Sequence, residues 1–515
     1  MAQATTKQDR DRLYAAQVEA SEREDLVMFI NACFAATGQT EFYSSRQCGR
    51  VSIEFLHDYV LANYRTVYRR VLAAGVNDFN RTRIVMKLLA IGSPMHDADR
   101  TEEGQLISRT LRSLPANRVF SLFANLQKLK INNRRTRAVV RDYLRWRKDP
   151  AFDAVKYRSK VRRAVRHARL KIDDETGRFL FALREQNKFE TALYDSFLRA
   201  HYAKQAVYEL PYTVAEGFAA KHQIPRGEFL KKIEPQMTRA EKQRIQSSAD
   251  RHGVAKPSVD LDRTPLTKLA LYALLLPIEQ RRARADELHD ALRASAARAL
   301  RSRTLRLGKV ALVLDRSRST RGSREKRMRP LAIAVAVHYL VGQNSDQGND
   351  EMRAFWTPSR HDAADQTTMD DHVFLMGASG QTDLASPFLS AIEWRPDNVV
   401  IVSDGYENAP AGATQQIVLA YRRRLAHLHP IAFIHANPVF DPEHFSPKLL
   451  GVGQTSGTSQ ASLLTTIGLR DAEDLGALMG FARFASGEAS QTELENYLGR
   501  LADDMLERDA ECRLQ

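Results

Sequence analysis

The stretch LVLDRSRST, residues 312–320, runs an apolar segment into Asp315-x-Ser317-x-Ser319. One carboxylate and two hydroxyls at alternate positions are hard oxygen donors, the kind that hold Mg²⁺ or Mn²⁺ while some water stays on the ion. Arg316, Arg318 and Arg321 share the loop. Neighbouring cations weaken a metal site unless an acidic group completes it, so the spacing predicts an anionic ligand arriving here. Two further loops carry similar donors. GASGQTDLASP offers Thr382 and Asp383, and VSDGYEN sets Asp404 directly after VVIVS. The candidate metal set is therefore Asp315, Ser317, Ser319, Thr382 and Asp404.

Those loops need strands to end. KVALVLD, MRAFWT, HVFLMG, NVVIVSDG and HPIAFIHAN are short apolar runs suited to buried parallel strands, with the helical segments RPLAIAVAVHYLVG, TDLASPFLSAIEW and TQQIVLAYRRRLAHL between them. The alternation predicts a doubly wound, Rossmann-like α/β domain over residues 305–515, with ligands at the carboxyl ends of its strands.

The other chemistry-bearing group is basic. Residues 1–300 hold 54 Lys+Arg against 35 Asp+Glu, a net +19, whereas residues 301–515 hold 23 against 27, a net −4. A polyanion such as nucleic acid suits the first part. Arg134, Arg137, Arg141, Arg145 and Lys148 are three or four apart, so a helix gathers them into one stripe, with Val139, Val140, Tyr143 and Leu144 largely opposite. After Pro150 the pattern repeats, with Arg158, Arg162, Arg166 and Arg169 set against Val161, Val165 and Ala168. Like charges at this spacing mildly destabilise a helix. Two successive helices that accept the cost predict a surface kept for a polyanion such as nucleic acid, the bland alternative being a solvated basic face. Tyr143, Trp146 and Tyr157 are near enough to offer stacking faces.

Around these stripes the first three hundred residues read as helix after helix, in DLVMFINACFAAT, VSIEFLHDYVLANYRTVYRRVLAAG, RTRIVMKLLAIG, LPANRVFSLFANLQKL and ETALYDSFLRAHYAKQAVYEL. The pattern predicts a flexible segment over 1–22 and an all-α, HEAT-like helical repeat over 23–304, a plain bundle being the alternative. No apolar stretch is long enough to cross a bilayer. Cys33, Cys48 and Cys512 make no framework of disulfides and no CxxC pair, so a reducing cytoplasm is expected. No phosphate-binding loop, HExxH or nucleophile elbow occurs, and His427 and His429 merely flank a strand; the expectation is that the chain is not an enzyme.

The C-terminal part resembles a von Willebrand factor A domain with its metal-ion-dependent adhesion site. Joined to a basic helical repeat, it resembles the Ro ribonucleoprotein autoantigens and their bacterial relatives, whose helical part is the TROVE module. LVMFINACFAATGQTEFYSSRQ, DAVKYRSKVRRAVRHARL, SPKLLGVGQTSG and DLGALMGFARFASGE carry that resemblance. Arg316 and Arg318 stand where the family has small residues, and GQT stands where GGT is commoner. The resemblance implies a ring of HEAT-like repeats closed by the A domain. Single-stranded 3′ ends of misfolded or noncoding RNA would thread the ring, a Y-like RNA would dock outside, and an exoribonuclease would be a partner in RNA quality control or processing. It further implies RNA contacts by Lys156, Arg158 and His167, and Mg²⁺ or Mn²⁺ at the five oxygen-bearing residues. A rival expectation is a metal-dependent adaptor, the A domain serving a multiprotein, ATPase-associated complex and the basic stripes meeting an acidic protein.

Overall fold

The computed structural model describes residues 7–39, 46–91, 96–238, 241–242, 245, 261, 263–302, 305, 307–348, 351–358, 365–367, 372–439 and 464–514. The chain divides into two compact units, residues 1–84 with 261–515, and residues 85–260. From its start run α1 (Lys7–Ala35), α2 (Arg46–Asn63), α3 (Arg65–Arg70) and α4 (Asp78–Ala90), the last crossing into the second unit. The second unit is helical: α5 (Asp97–Ser113), α6 (Ala116–Lys128), α7 (Arg134–Trp146), α8 (Pro150–Lys156), α9 (Arg158–Ala168), α10 (Asp174–Phe181), α11 (Ala192–Arg199), α12 (Tyr212–Lys221) and α13 (Arg226–Ile233).

The chain then returns to the first unit with α14 (Leu266–Leu275), α15 (Ile278–Ala283) and α16 (Ala285–Ser302). Strands and helices alternate after that: β1 (Lys309–Leu314), α17 (Arg329–Asp346), β2 (Glu351–Trp356), β3 (Asp365–Thr367), α18 (Ala385–Glu393), β4 (Asn398–Val402), α19 (Ala413–Arg424), β5 (Ala432–Asn437), β6 (Thr465–Gly468), α20 (Leu475–Ala485) and α21 (Gln491–Leu514). The strand order is β3-β2-β1-β4-β5-β6, parallel except for β3. This is the expected α/β arrangement beside a helical part. HVFLMG, expected as a strand, is a single 3-10 turn at Val373–Leu375 that packs on α14 and α15. Its apolar run answers to burial, which does not distinguish strand from turn in so short a stretch.

A parallel sheet must be covered on both faces. On one face Ala311, Val313, Val399 and Ile401 pack with Phe388 of α18 and Val418 of α19. On the other lies α17, buried without interruption from Pro330 to Val341. A helix apolar all round has to be sandwiched, and α14 and α16 lie against it. At the β6 edge α1 packs on the sheet. Asn31 accepts from the Gly468 N–H at 2.9 Å and donates to the Thr466 carbonyl at 3.0 Å, and a Cβ on Gly468 would come within 2.7 Å of the Asn31 carbonyl. These contacts move the division of the chain away from the expected boundary at 304/305: residues 261–302 and 1–84 belong with the sheet. Residues 7–22, expected to be flexible, are the opening turns of α1. Among the described residues no helix is long and apolar enough to cross a membrane.

One buried histidine ties three strands. His435 on β5 bonds the Ser403 carbonyl through Nε2 at 2.8 Å and Thr466 Oγ1 through Nδ1 at 3.1 Å. Burial, opposed by the bond to Ser403, pulls its imidazole down to about 4. The unfolded chain takes up a proton near pH 6.5 that the folded chain refuses until about pH 4, so stability falls as pH drops through that window. Chemical denaturation from pH 7 to pH 4 should show the wild type losing about 3 kcal/mol that a His435→Gln variant does not lose.

Candidate functional site

Strand register builds the oxygen-rich site. Leu314 on β1 pairs with Trp356 on β2 and Val402 on β4, so the next residues, Thr357, Asp315 and Ser403, form a row across three carboxyl ends. The chain order reverses between β1 and β4, the switch point where open α/β sheets bind ligands. Asp315 is 1% exposed. Its Oδ1 accepts from the Ser317 N–H at 2.7 Å and from Thr357 Oγ1 at 3.4 Å, and its Oδ2 accepts from Ser403 Oγ at 2.9 Å. Burial raises the Asp315 carboxyl above its ordinary range, against those hydrogen bonds.

The other donors converge through the backbone. The Arg318 N–H reaches the Gly380 carbonyl at 3.1 Å, and the Ser379 N–H reaches the Arg316 carbonyl at 2.9 Å, stitching the first loop to the second. Thr382, 3% exposed, donates its N–H to Asn408 Oδ1 at 2.9 Å, and its carbonyl accepts from the Asn408 and Ala409 N–H groups. That joins the second loop to the third. Asp404 is buried and accepts from the Tyr406 N–H at 3.2 Å. Gly405 follows at φ +78°, where a Cβ would meet the His435 ring at 3.1 Å. Asp383 stays out of the set: it accepts from the N–H and Oγ of Ser386 at the head of α18.

These residues carry the oxygen donors that a hard cation takes. Ser317 Oγ and Ser319 Oγ stand 3.0 Å apart, the spacing of neighbouring ligands around an octahedral ion with bonds of about 2.1 Å. Among the described residues no group of three or more His, Cys, Asp or Glu side chains is placed to hold a metal, so hydroxyls would have to complete any shell here. The arginines behave differently from expectation. Buried Arg316 donates Nε to the Thr357 carbonyl at 2.8 Å, and Arg321 donates Nε to the Ala378 carbonyl at 3.1 Å. Both hold loops. Arg318 is exposed.

In the helical unit, α7 begins at an Asn133 cap on the Thr136 N–H. Its inner side buries Val140 and Tyr143, the Tyr143 ring lying edge-on to Phe120 and Phe123 of α6. Arg135 pairs with the buried Glu103 of α5 at 2.6 Å. That fixes the roll of the helix and turns Arg134, Arg137, Arg141 and Arg145 into a cavity of about 730 Å³. Across it lie Val161, Val165 and Ala168, the apolar side of α9. Arg169 and Lys171 add charge at the end of α9. Arg147 lines the cavity too, but it grips Asp153 with two bonds of 2.5 and 3.0 Å. Of the other cations, Arg141 meets neighbouring Asp142 at 2.9 Å; Arg134, Arg137, Arg145, Arg169 and Lys171 have no ion-pair partner among the described residues. The cavity lies within the range of about 300–1,000 Å³ usual for small-ligand sites.

The second stripe joins this surface only through Arg169. The apolar side of α9 is buried against α6 and α7, and Arg158, Arg162 and Arg166 lie outside the cavity lining. Arg158 donates to the Phe179 and Leu180 carbonyls at the end of α10 and lies over the Phe179 ring. Lys156 pairs with Glu241 at 3.1 Å, and His167 Nε2 donates to the Ile131 carbonyl at 2.8 Å. These three are half-buried, with their polar groups bonded to the fold. Arg162 is half-buried, Arg166 sits over the Phe181 ring at 5.2 Å, and Lys148 is exposed; none lines the cavity. Nor do Tyr143, Trp146 and Tyr157. Thr357, Ser403 and Asn408 at the first site, and Lys171 at the second, were not singled out from sequence. Their signal was positional: a polar residue closing each apolar strand, and a cation just past a helix end.

No protein-family model matches the chain, and no curated protein matches it.

Removing Arg158 strands two helix-end carbonyls, so Arg158→Ala should cost about 1–3 kcal/mol in denaturant unfolding. Arg134→Ala and Arg145→Ala, which break no such bonds, should stay within about 0.5 kcal/mol of wild type.

Proposed function

We propose that this chain is a non-catalytic RNA-binding protein of the Ro type. Its helical part would hold single-stranded 3′ ends of misfolded or noncoding RNA, and its α/β part would carry an A-domain metal site. The observation that carries the reading is the cavity in the helical unit. Cations from α7 and from the end of α9 line one concave surface, largely without acidic partners among the described residues. Surface cations kept close together without acids are repelled from one another, and a phosphate chain relieves that repulsion while releasing its own counterions. The HEAT-like character of the helices, closure into a ring and docking of a Y-like RNA belong to the same proposal and rest on the sequence resemblance. The metal part is supported by three loops meeting at the switch point, with Asp315 buried and two hydroxyls at octahedral spacing. An anionic group from a partner such as an exoribonuclease would complete the ion.

A short single-stranded RNA with a free 3′ end, titrated over a salt series, tests the first part. If six cations meet phosphates, the slope of log K against log salt should be near −4, at about 0.7 per phosphate for single strands. Changing Arg134, Arg141 and Arg145 together to Glu should weaken binding by at least about 100-fold at 0.1 M salt. Binding unaffected by the triple change would refute the reading. For the metal, calorimetric titration with Mn²⁺ should give one site, and Asp315→Ala should abolish it; equal uptake by both proteins would remove the ion from this site.

A further inference from the structure

The cavity between α7 and α9 has more apolar lining than a phosphate chain could use. Leu144 of α7 and Leu170 and Ile172 just past α9 are part-exposed aliphatic residues of the lining, with Val161, Val165 and Ala168 buried among it. Phosphate gains nothing from such a surface, whereas the flat face of an unpaired base does, at roughly 25 cal/mol for each Å² removed from water. A duplex keeps its bases stacked inside and cannot offer that face. Arg169 adds a second sign. It ends α9 in the left-handed region, at φ 52°, where glycine is the usual residue and another side chain costs about 1 kcal/mol or more. The cost places a guanidinium on the cavity wall, and guanidinium planes stack on bases as well as bind phosphate. The carboxylates of the lining are already engaged, Asp153 by Arg147 and Asp173 by the Thr176 N–H. Little is left to read the edge of a base.

We propose that this cavity is a base pocket. It takes one or two unstacked bases of a single RNA strand onto Leu144, Leu170 and Ile172, with the flanking phosphates on Arg134, Arg141 and Arg145, and it does so without regard to base identity. This rests on the RNA-binding reading above and assigns the α7–α9 cavity as the place where bases leave the stack.

The test is competition at fixed salt, read by fluorescence anisotropy of a labelled ten-nucleotide RNA. Unlabelled RNA should displace the probe at least tenfold better than inorganic polyphosphate of matched charge, and U, A and C oligomers should differ by less than about threefold. Ala138 of α7 is half-buried and lines the cavity. Filling the space with Ala138→Phe should cut the preference for RNA over polyphosphate by at least tenfold. Because that variant adds bulk near the core, a second measurement uses the wild-type chain. Photocrosslinking with 4-thiouridine RNA, mapped by mass spectrometry, should mark peptides within residues 138–172. Equal competition by polyphosphate, or crosslinks lying wholly outside those residues, would overturn the base pocket and leave RNA binding through phosphate intact. Failure of the wild type to bind the probe at any salt would instead remove the RNA-binding reading beneath it.

Discussion

The sheet sets the terms for the larger unit. Parallel strands are apolar on both faces, and neither face can be left in water. The α/β segment supplies α18 and α19 for one side and α17 for the other, but α17 is itself apolar all round and needs a further layer. That layer is α14 and α16, with α1 at the β6 edge. Helices that read as the ends of a separate helical module are thereby drawn into the sheet's unit, and the chain divides at 84/85 and 260/261.

A sheet covered in this way also buries the carboxyl ends of its central strands. Asp315 sits where β1 and β4 part, shielded from water and satisfied by three hydrogen bonds. A buried carboxylate is costly to keep charged, and those bonds compensate for only part of the lost hydration, since its carboxyl remains raised. Arg316 and Arg321 use their guanidinium groups on backbone carbonyls, which keeps the loop closed over the site.

The helical unit makes the same point with two helices of nearly identical pattern. Both α7 and α9 alternate arginines with valines at helical spacing. In α7 the Arg135–Glu103 pair and the aromatic cluster around Tyr143 hold the inner side, leaving the arginines over the cavity. In α9 the valines form the opposite wall, and the basic side supplies Arg158 to the end of α10. One stripe is available to a ligand, while the other is partly consumed by the fold.

Local patterns were legible in the sequence because they depend on near neighbours. The 3.6-residue spacing foretold α7 and α9, the apolar runs foretold β1, β2, β4 and β5, and the polar residues ending β1 and β4 placed Asp315 and Asp404 at strand ends. HVFLMG misled because a short apolar run records burial rather than conformation, and residues 446–457, which carry part of the family resemblance, lie outside the described residues. By itself the sequence determined which residues were apolar, basic or oxygen-bearing, and at what period. Tertiary structure alone decided which face of each helix met a partner, that Thr357 and Ser403 would flank Asp315, and that Lys156, Arg158 and His167 would be held internally. Those outcomes depend on contacts between residues distant in the chain, and a charged side chain carries no mark of whether its counter-charge will come from the fold or from a ligand.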